Sequence, residues 1–449
     1  MPPRAKNAFL LLASLVFYTW GEPVYVALLI ASIAGNYLFG RALDQARAPL
    51  GRRLVVALAV MGNLVFLAYF KYFSFALENL FPEGTLKDLE WAEPDHLPLG
   101  ISFFTFQALS YIVDVYRRTS PAQHNPFSLA LFISSFPQMI AGPIIRYADV
   151  QLQIEHRVHD PHLFVSGVRR FVFGLAKKVL IADVLGDSAD RIFAHDSTDL
   201  TTGAIWLGIV CFAFQIYFDF SAYSDMAIGL GRMFGFRFKE NFNYPYISRS
   251  LTEMWERWHI SLGSWFRDYL YIPLGGNRRG VFRTHLNLWI VFLLCGLWHG
   301  ASWNFVIWGA LHGSVLVIER LGLQRLLQRC WAPLQHLYFA LVFLFTLVFF
   351  RVAELPDAVH LISLMTGLTE PGYLEWHQFY DRGMAITLCL ALVFSAPVYP
   401  VLCTSLVPLM GRHSLQHKLS QLALIVAIYG VTVMGIASNA YSPFIYFRF

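Results

Sequence analysis

The stretch 297–313, LWHGASWNFVIWGALHG, is almost wholly apolar and aromatic, yet it holds His299 and His312. Apolar density of this kind belongs in a hydrocarbon core about 30 Å thick, which a helix of about 20 residues crosses. An imidazole in such a place needs hydrogen-bond partners, because burial without them costs free energy. Gly300, Ala301 and Ser302 loosen the helical pattern just after His299, so one helix ends there and another begins. His312 then lies about ten residues into the second helix, about 15 Å along its axis and near the membrane mid-plane. His299 falls close to the outer end of the first. A single unbroken helix would instead put the two rings on roughly opposite faces.

Working outward, the same composition extends over the chain. Of 449 residues, 56% are hydrophobic and only 14% charged, where a soluble domain carries about a quarter charged residues. This is the signature of an all-α polytopic membrane protein. Apolar runs predict helices near 7–20, 23–40, 54–70, 97–116, 127–145, 163–185, 202–220, 222–236, 285–299, 302–320, 335–352, 383–402 and 419–438. The expected number of crossings is about 11–13, in one domain over 1–449, and the basic, apolar start reads as a retained helix. The absence of an internal repeat argues against a transporter built from two similar halves. The five cysteines are isolated, without metal or disulfide spacing, and read as packing residues. A net charge of +5 has no nucleic-acid pattern.

Loop charges set an orientation. Residues 41–53 carry Arg41, Arg47, Arg52 and Arg53, whereas 78–95 and 352–382 are acidic. The positive-inside rule places the first in the cytosol and the other two outside. Segment 232–284 holds nine Arg or Lys against four Asp or Glu and belongs on the cytosolic side. Its aromatic and charged residues alternate too densely for a linker, and it is too polar to span lipid. An interfacial or re-entrant helical layer fits both facts.

Four constellations are able to carry chemistry. The histidine pair is one, since an ionisable residue at mid-membrane faces a cavity or a partner; the alternative is a packing histidine bonded to a neighbouring carbonyl. Within 255–276, Trp255, Arg257, Trp258, His259, Trp265, Arg267 and Asp268 combine cation, stacking and acid functions suited to an anionic, ring-containing ligand. Arg278 and Arg279 follow in a glycine-rich turn able to meet phosphates, and an aromatic belt beside cytosolic charge is the competing explanation. In 215–229, Gln215, Asp219, Ser221 and Asp225 interrupt an apolar run, as cavity lining or as paired structural charges. In 97–118, Ser102, Thr105, Gln107, Ser110 and Asp114 form a polar thread that lines a tunnel or bonds neighbouring helices. No GxSxG, HExxH or paired-carboxylate signature accompanies them. Enzymatic chemistry here would be general base catalysis by histidine during acyl transfer, a contribution of about 10²–10⁴-fold.

Taken together, LPLGISFFTFQALSYIVDVYRR, FPQMIAGPIIRY, FDFSAYSDMAIGLGRMFGF, NFNYPYISRSLTEMWERWHISLGSWFRDYLYIPLGGNRRG, WHGASWNFVIWGALHG and the closing SPFIYFRF resemble the membrane-bound O-acyltransferase (MBOAT) family. The likeness is to its alginate O-acetyltransferase (AlgI-like) branch, with core motifs in 97–313; Ala222 stands where that branch commonly shows glycine. The resemblance implies an MBOAT fold with a central tunnel in a bacterial inner membrane. It implies acetyl-CoA as a cytosolic donor, no permanently bound cofactor or metal, and an extracytoplasmic, alginate-like polysaccharide as acceptor. It also implies a periplasmic SGNH-hydrolase-like partner, a polysaccharide synthesis and secretion complex, and surrounding membrane lipid. His312 corresponds to the family's essential histidine and His299 to its second. The substrate- and donor-binding set expected is Arg257, His259, Ser261, Trp265, Arg267, Asp268, Tyr271, Arg278, Arg279, Gln215, Asp219, Trp298 and Asn304. D-alanyl or longer-chain transfer to a cell-wall polymer, and transport of an acyl or glycan carrier without chemistry, are the competing readings.

Overall fold

Pro49 opens a 32-residue helix, Pro49–Leu80, from its first position. The missing N–H of proline is of no consequence there. The computed structural model describes residues 3–81, 94, 96–158, 160–398, 415–438 and 444. Within them the chain runs through α1 (Pro3–Gly21), α2 (Val26–Gln45), α3 (Pro49–Leu80), α4 (Ile101–Arg117), α5 (Pro126–Ser134), α6 (Phe136–Met139) and α7 (Tyr147–His156). There follow α8 (Pro161–Lys177), α9 (Asp183–Phe193), α10 (Thr202–Met233), α11 (Leu251–Arg257), α12 (Ile260–Phe266), α13 (Val281–His299) and α14 (Trp303–Ile318). The remainder are α15 (Gln324–Leu327), α16 (Ala332–Arg351), α17 (Leu355–Met365), α18 (Trp376–Phe379), α19 (Arg382–Phe394) and α20 (Leu415–Ser438). The β structure among these residues is one isolated parallel bridge, Leu200 with Leu374.

Seven of the described helices are long and apolar enough to cross a membrane: α2, α3, α10, α13, α14 with its continuation to Leu327, α16 and α20. This is a multi-pass membrane protein. Eleven to thirteen crossings were expected, and the differences have physical causes. At 17 residues α4 is short of a full crossing, although nearly all of it is buried, and α19 has 13. Run 127–145 is not one helix, because Ser135 leaves the helical conformation and Pro137 lies in the first turn of the short α6 that follows. Runs 202–220 and 222–236 are a single helix, α10. The acidic residues of 83–93 and Asp95, residues 399–402 and all of SPFIYFRF except Phe444 lie outside the described residues.

By packing, the chain forms two compact units. The first comprises Met1–Gly167, Ala227–Lys239 and Ser264–Leu270; the second, Val168–Met226, Glu240–Gly263 and Tyr271–Phe449. In the first, α1 to α5 and α7 share a core in which the fully buried Tyr111, Phe132 and Tyr147 pack edge to face. Tyr111 accepts from the Gln123 N–H, and Tyr147 from the Gln123 amide, at 3.1 and 2.9 Å. In the second, α13 and α14 form a tight antiparallel hairpin. A Cβ on Gly296 would strike the Phe305 carbonyl, and one on Gly309 the Phe292 carbonyl. These glycines let two backbones touch.

Candidate active site

The break in LWHGASWNFVIWGALHG falls where the glycine and serine place it. His299 is the last residue of α13, Gly300 and Ser302 are extended, and Trp303 begins α14. The single unbroken helix is therefore excluded, and the hairpin brings both histidines to one cavity. That cavity measures about 20 Å³ and is lined by Met254, Trp255, Trp258, His299, Trp308, His312 and Phe343 among others. It has room for about one water, so the space at His312 is narrower than the expected tunnel.

His312 is fully buried and bonded at both ring nitrogens. Trp255 on α11 donates its indole N–H to Nδ1 at 3.1 Å, and Nε2 lies 3.0 Å from the Thr346 hydroxyl on α16. The polar cost of an imidazole at this depth is thus met by two side chains from two other helices. His299 is held edge-on by Trp298, Trp308 and Phe350, with ring centroids 4.9–5.2 Å away. Trp308 stands between the histidines, 4.3 Å from the His312 ring.

Trp255 owes its place to the anchoring of α11. Ser250 caps this helix by accepting from the Glu253 N–H, the usual capping interaction. Glu319, nearly without solvent exposure, accepts from the Leu251 and Thr252 N–H groups at 2.8 and 2.9 Å and from the Thr252 hydroxyl and Tyr338. A carboxylate at a helix N-terminus also meets the positive end of its dipole.

The remaining expected site residues fall in both units, each with contacts of its own. Arg257 pairs with Glu253 at 2.9 Å and donates to the Asn243 carbonyl, and Arg278 and Arg279 are exposed in the turn after α12. Tyr271 closes that turn by donating to Asn277. His259 and Ser261 belong to a buried knot. Asn241 Oδ1 is 3.2 Å from His259 Nδ1 and accepts from the Ser261 N–H and hydroxyl, while its amide donates to Ser224. His259 adopts φ +44°, a conformation costly outside glycine. Burial pushes its pKa down to about 3, so the ring is neutral. Trp298 sits between this knot and His299.

Trp265, Arg267 and Asp268 lie in the other unit. Trp265 stacks on Phe106 at 3.9 Å and donates to the Phe106 carbonyl, while Asp268 takes Arg146 at 2.6 Å and Arg267 at 2.7 Å. Asp114 of the polar thread accepts from Tyr269 at 2.9 Å. Gln215 is buried against Gly186. Asp219 pairs with Lys178 at 2.9 Å, and Asp225 with both Lys177 and Arg170 at 2.7 Å. Asn304 donates to the Val352 and Ala353 carbonyls and ties α14 to the end of α16.

The model of the membrane-bound O-acyltransferase family matches residues 116–355, more than half of the chain. The chain belongs to the membrane-bound O-acyltransferase family. It is accordingly an O-acyltransferase, and His299 and His312 lie within the matched region. Among its relatives is a probable alginate O-acetylase AlgI of Azotobacter vinelandii, 40% identical over the whole of this chain and 95% of that one. A peptidoglycan O-acetyltransferase of Helicobacter pylori is 35% identical over 88% of this chain and 81% of its own. A teichoic acid D-alanyltransferase of Bacillus subtilis is 28% identical over 51% and 62%.

Three residues of the site escaped the sequence reading: Thr346, Glu319 and Asn241. Thr346 is the lone hydroxyl in ALVFLFTLVFF, and Glu319 the lone acid closing a long apolar run. A polar group so placed must have a buried partner, which is the signal that would have found both.

Proposed function

We propose that the protein transfers acetyl groups from cytosolic acetyl-CoA to an extracytoplasmic polysaccharide of the alginate type, using His312 as general base, in a bacterial inner membrane. The observation that carries this reading is His312 itself, fully buried in an apolar hairpin and bonded by Trp255 and Thr346. The names of the more similar relatives support acetyl as the group and a polysaccharide as the acceptor. In the proposed reaction His312 takes the proton of an acceptor hydroxyl, whose oxygen attacks the thioester carbonyl. The carbon–sulfur bond breaks, and the departing CoA thiolate takes the proton from the imidazolium. The exposed Arg278 and Arg279, with Arg257, offer cations to the donor phosphates on the cytosolic side. A periplasmic SGNH-hydrolase-like partner and a polysaccharide synthesis complex would carry the acetyl group onward.

The test is acetyl transfer from labelled acetyl-CoA by the full-length protein in membranes, with and without His312→Ala. The expected loss is about 10²–10⁴-fold, with thermal unfolding confirming that the variant is folded. Transfer retained in a folded His312→Ala protein would overturn the role of His312. Labelling from a D-alanyl carrier but not from acetyl-CoA would overturn the acetyl group.

A further inference from the structure

The hydrogen bonds at His312 determine which nitrogen holds its proton. Thr346 has one hydroxyl hydrogen, and it goes to the Phe343 carbonyl at 2.9 Å. Toward His312 the Thr346 oxygen is therefore an acceptor, and Nε2 must donate to it across 3.0 Å. The neutral ring then has its single basic lone pair on Nδ1. That lone pair already receives the Trp255 indole N–H at 3.1 Å. In this arrangement His312 has no lone pair free to accept a proton from a substrate.

The cavity leads to the same residue. Its volume of about 20 Å³ holds about one water, and an acceptor hydroxyl with the carbon that bears it is larger than that. A wall must move before the reaction, and Trp255 is both a wall and the group on Nδ1. Its ring rests edge-on against Phe292 and Trp308, at 5.1 and 6.0 Å.

We propose that Trp255 is a positioning residue that caps the base: its N–H occupies Nδ1 of His312 until the acceptor displaces it. This rests on His312 being the base. The cap has a purpose, because the cavity beside His312 accommodates water. An uncapped Nδ1 would take a proton from that water, whose oxygen would attack the thioester. The carbon–sulfur bond would break, releasing acetate, and the CoA thiolate would recover the proton from the ring. Trp255 suppresses this loss of donor while no acceptor is present.

The experiment measures CoA released from acetyl-CoA by the full-length protein in nanodiscs without acceptor. Trp255→Phe keeps an aromatic ring and removes the N–H. Release is expected to rise about three- to tenfold, the population change that loss of one neutral hydrogen bond produces, and His312→Ala added to it should abolish the increase. Equal release by Trp255→Phe and the parent overturns the cap. A second measurement needs no variant at Trp255. Nitrogen-15 spectra of the histidine-labelled parent, with His312→Gln used only to identify the signal, should show His312 protonated at Nε2 and bare at Nδ1. A proton on Nδ1 overturns the proposal. The two readings fail separately: acetyl transfer surviving in His312→Ala removes the base, whereas its loss there with unchanged hydrolysis in Trp255→Phe removes only the cap.

Discussion

Asp268 was expected beside the donor, and the structure gives it two guanidinium partners, Arg146 and Arg267. Burial alone would raise its carboxyl, but the hydrogen bonds from Arg267 and Arg146 outweigh it and the pKa is lowered. A carboxyl held below its unfolded value, about 3.9, adds stability that is complete above that value and lost as pH falls through the folded one. Thermal unfolding of the purified protein should therefore drop steeply below about pH 4. Asp268→Asn should make that part of the pH dependence shallower; an unchanged slope would show that the pair contributes nothing to folding. His259 stood among arginines and tryptophans and read as a ligand; the structure adds a φ of +44° and a bond to Asn241 that tie it into a buried knot. Backbone sign and a partner 18 residues upstream have no trace in local composition. His312 was legible for the opposite reason, since its surroundings offer a polar ring nothing local to bond.

Among the elements, α11 has seven residues, too few to hold its shape unaided. Glu319 supplies what is missing by accepting from both N–H groups at its start. Glu319→Gln keeps the size of the side chain but turns one acceptor into a donor that faces other donors. A loss of about 1–3 kcal/mol in unfolding free energy is expected, together with reduced acetyl transfer, because Trp255 leaves its register. Unaltered denaturation and unaltered transfer would show that α11 is held by other contacts. Long apolar helices such as α3 and α16 were readable from the sequence because their pattern is local. The continuity of α10 was not. Asp219 and Asp225 looked like an interruption, but their partners Lys178, Lys177 and Arg170 arrive from residues 41–55 positions earlier. Neutralised in this way, they let the helix run through.

At the scale of the whole molecule, α13, α14 with its continuation and α16 are three successive candidate spans. Three crossings put the turn at Arg278 and the acidic segment at Glu370 on opposite sides of the membrane. Arg329 falls between the second and third crossings, and Arg320 and Arg325 lie in the last turns of the second, on the side the positive-inside rule assigns to the cytosol. In a cysteine-free background, Arg278→Cys should react with an impermeant maleimide only from the cytosolic side, and Glu370→Cys only from outside. Labelling of both from one side would discard this topology. The family was legible as a set of motifs in the right order, whereas the two bonds at the His312 ring join side chains from three helices and had no counterpart in any one motif. Those helices are also made at different times. Trp255 precedes His312 by 57 residues, and Thr346 follows it by 34. At about 5–20 residues per second, synthesis of those 34 residues lasts roughly 2–7 s. Throughout that interval the newborn hairpin has its tryptophan available but not its threonine. Biogenesis thus joins the imidazole first to the residue proposed to silence it, and only afterwards to the one that orients it.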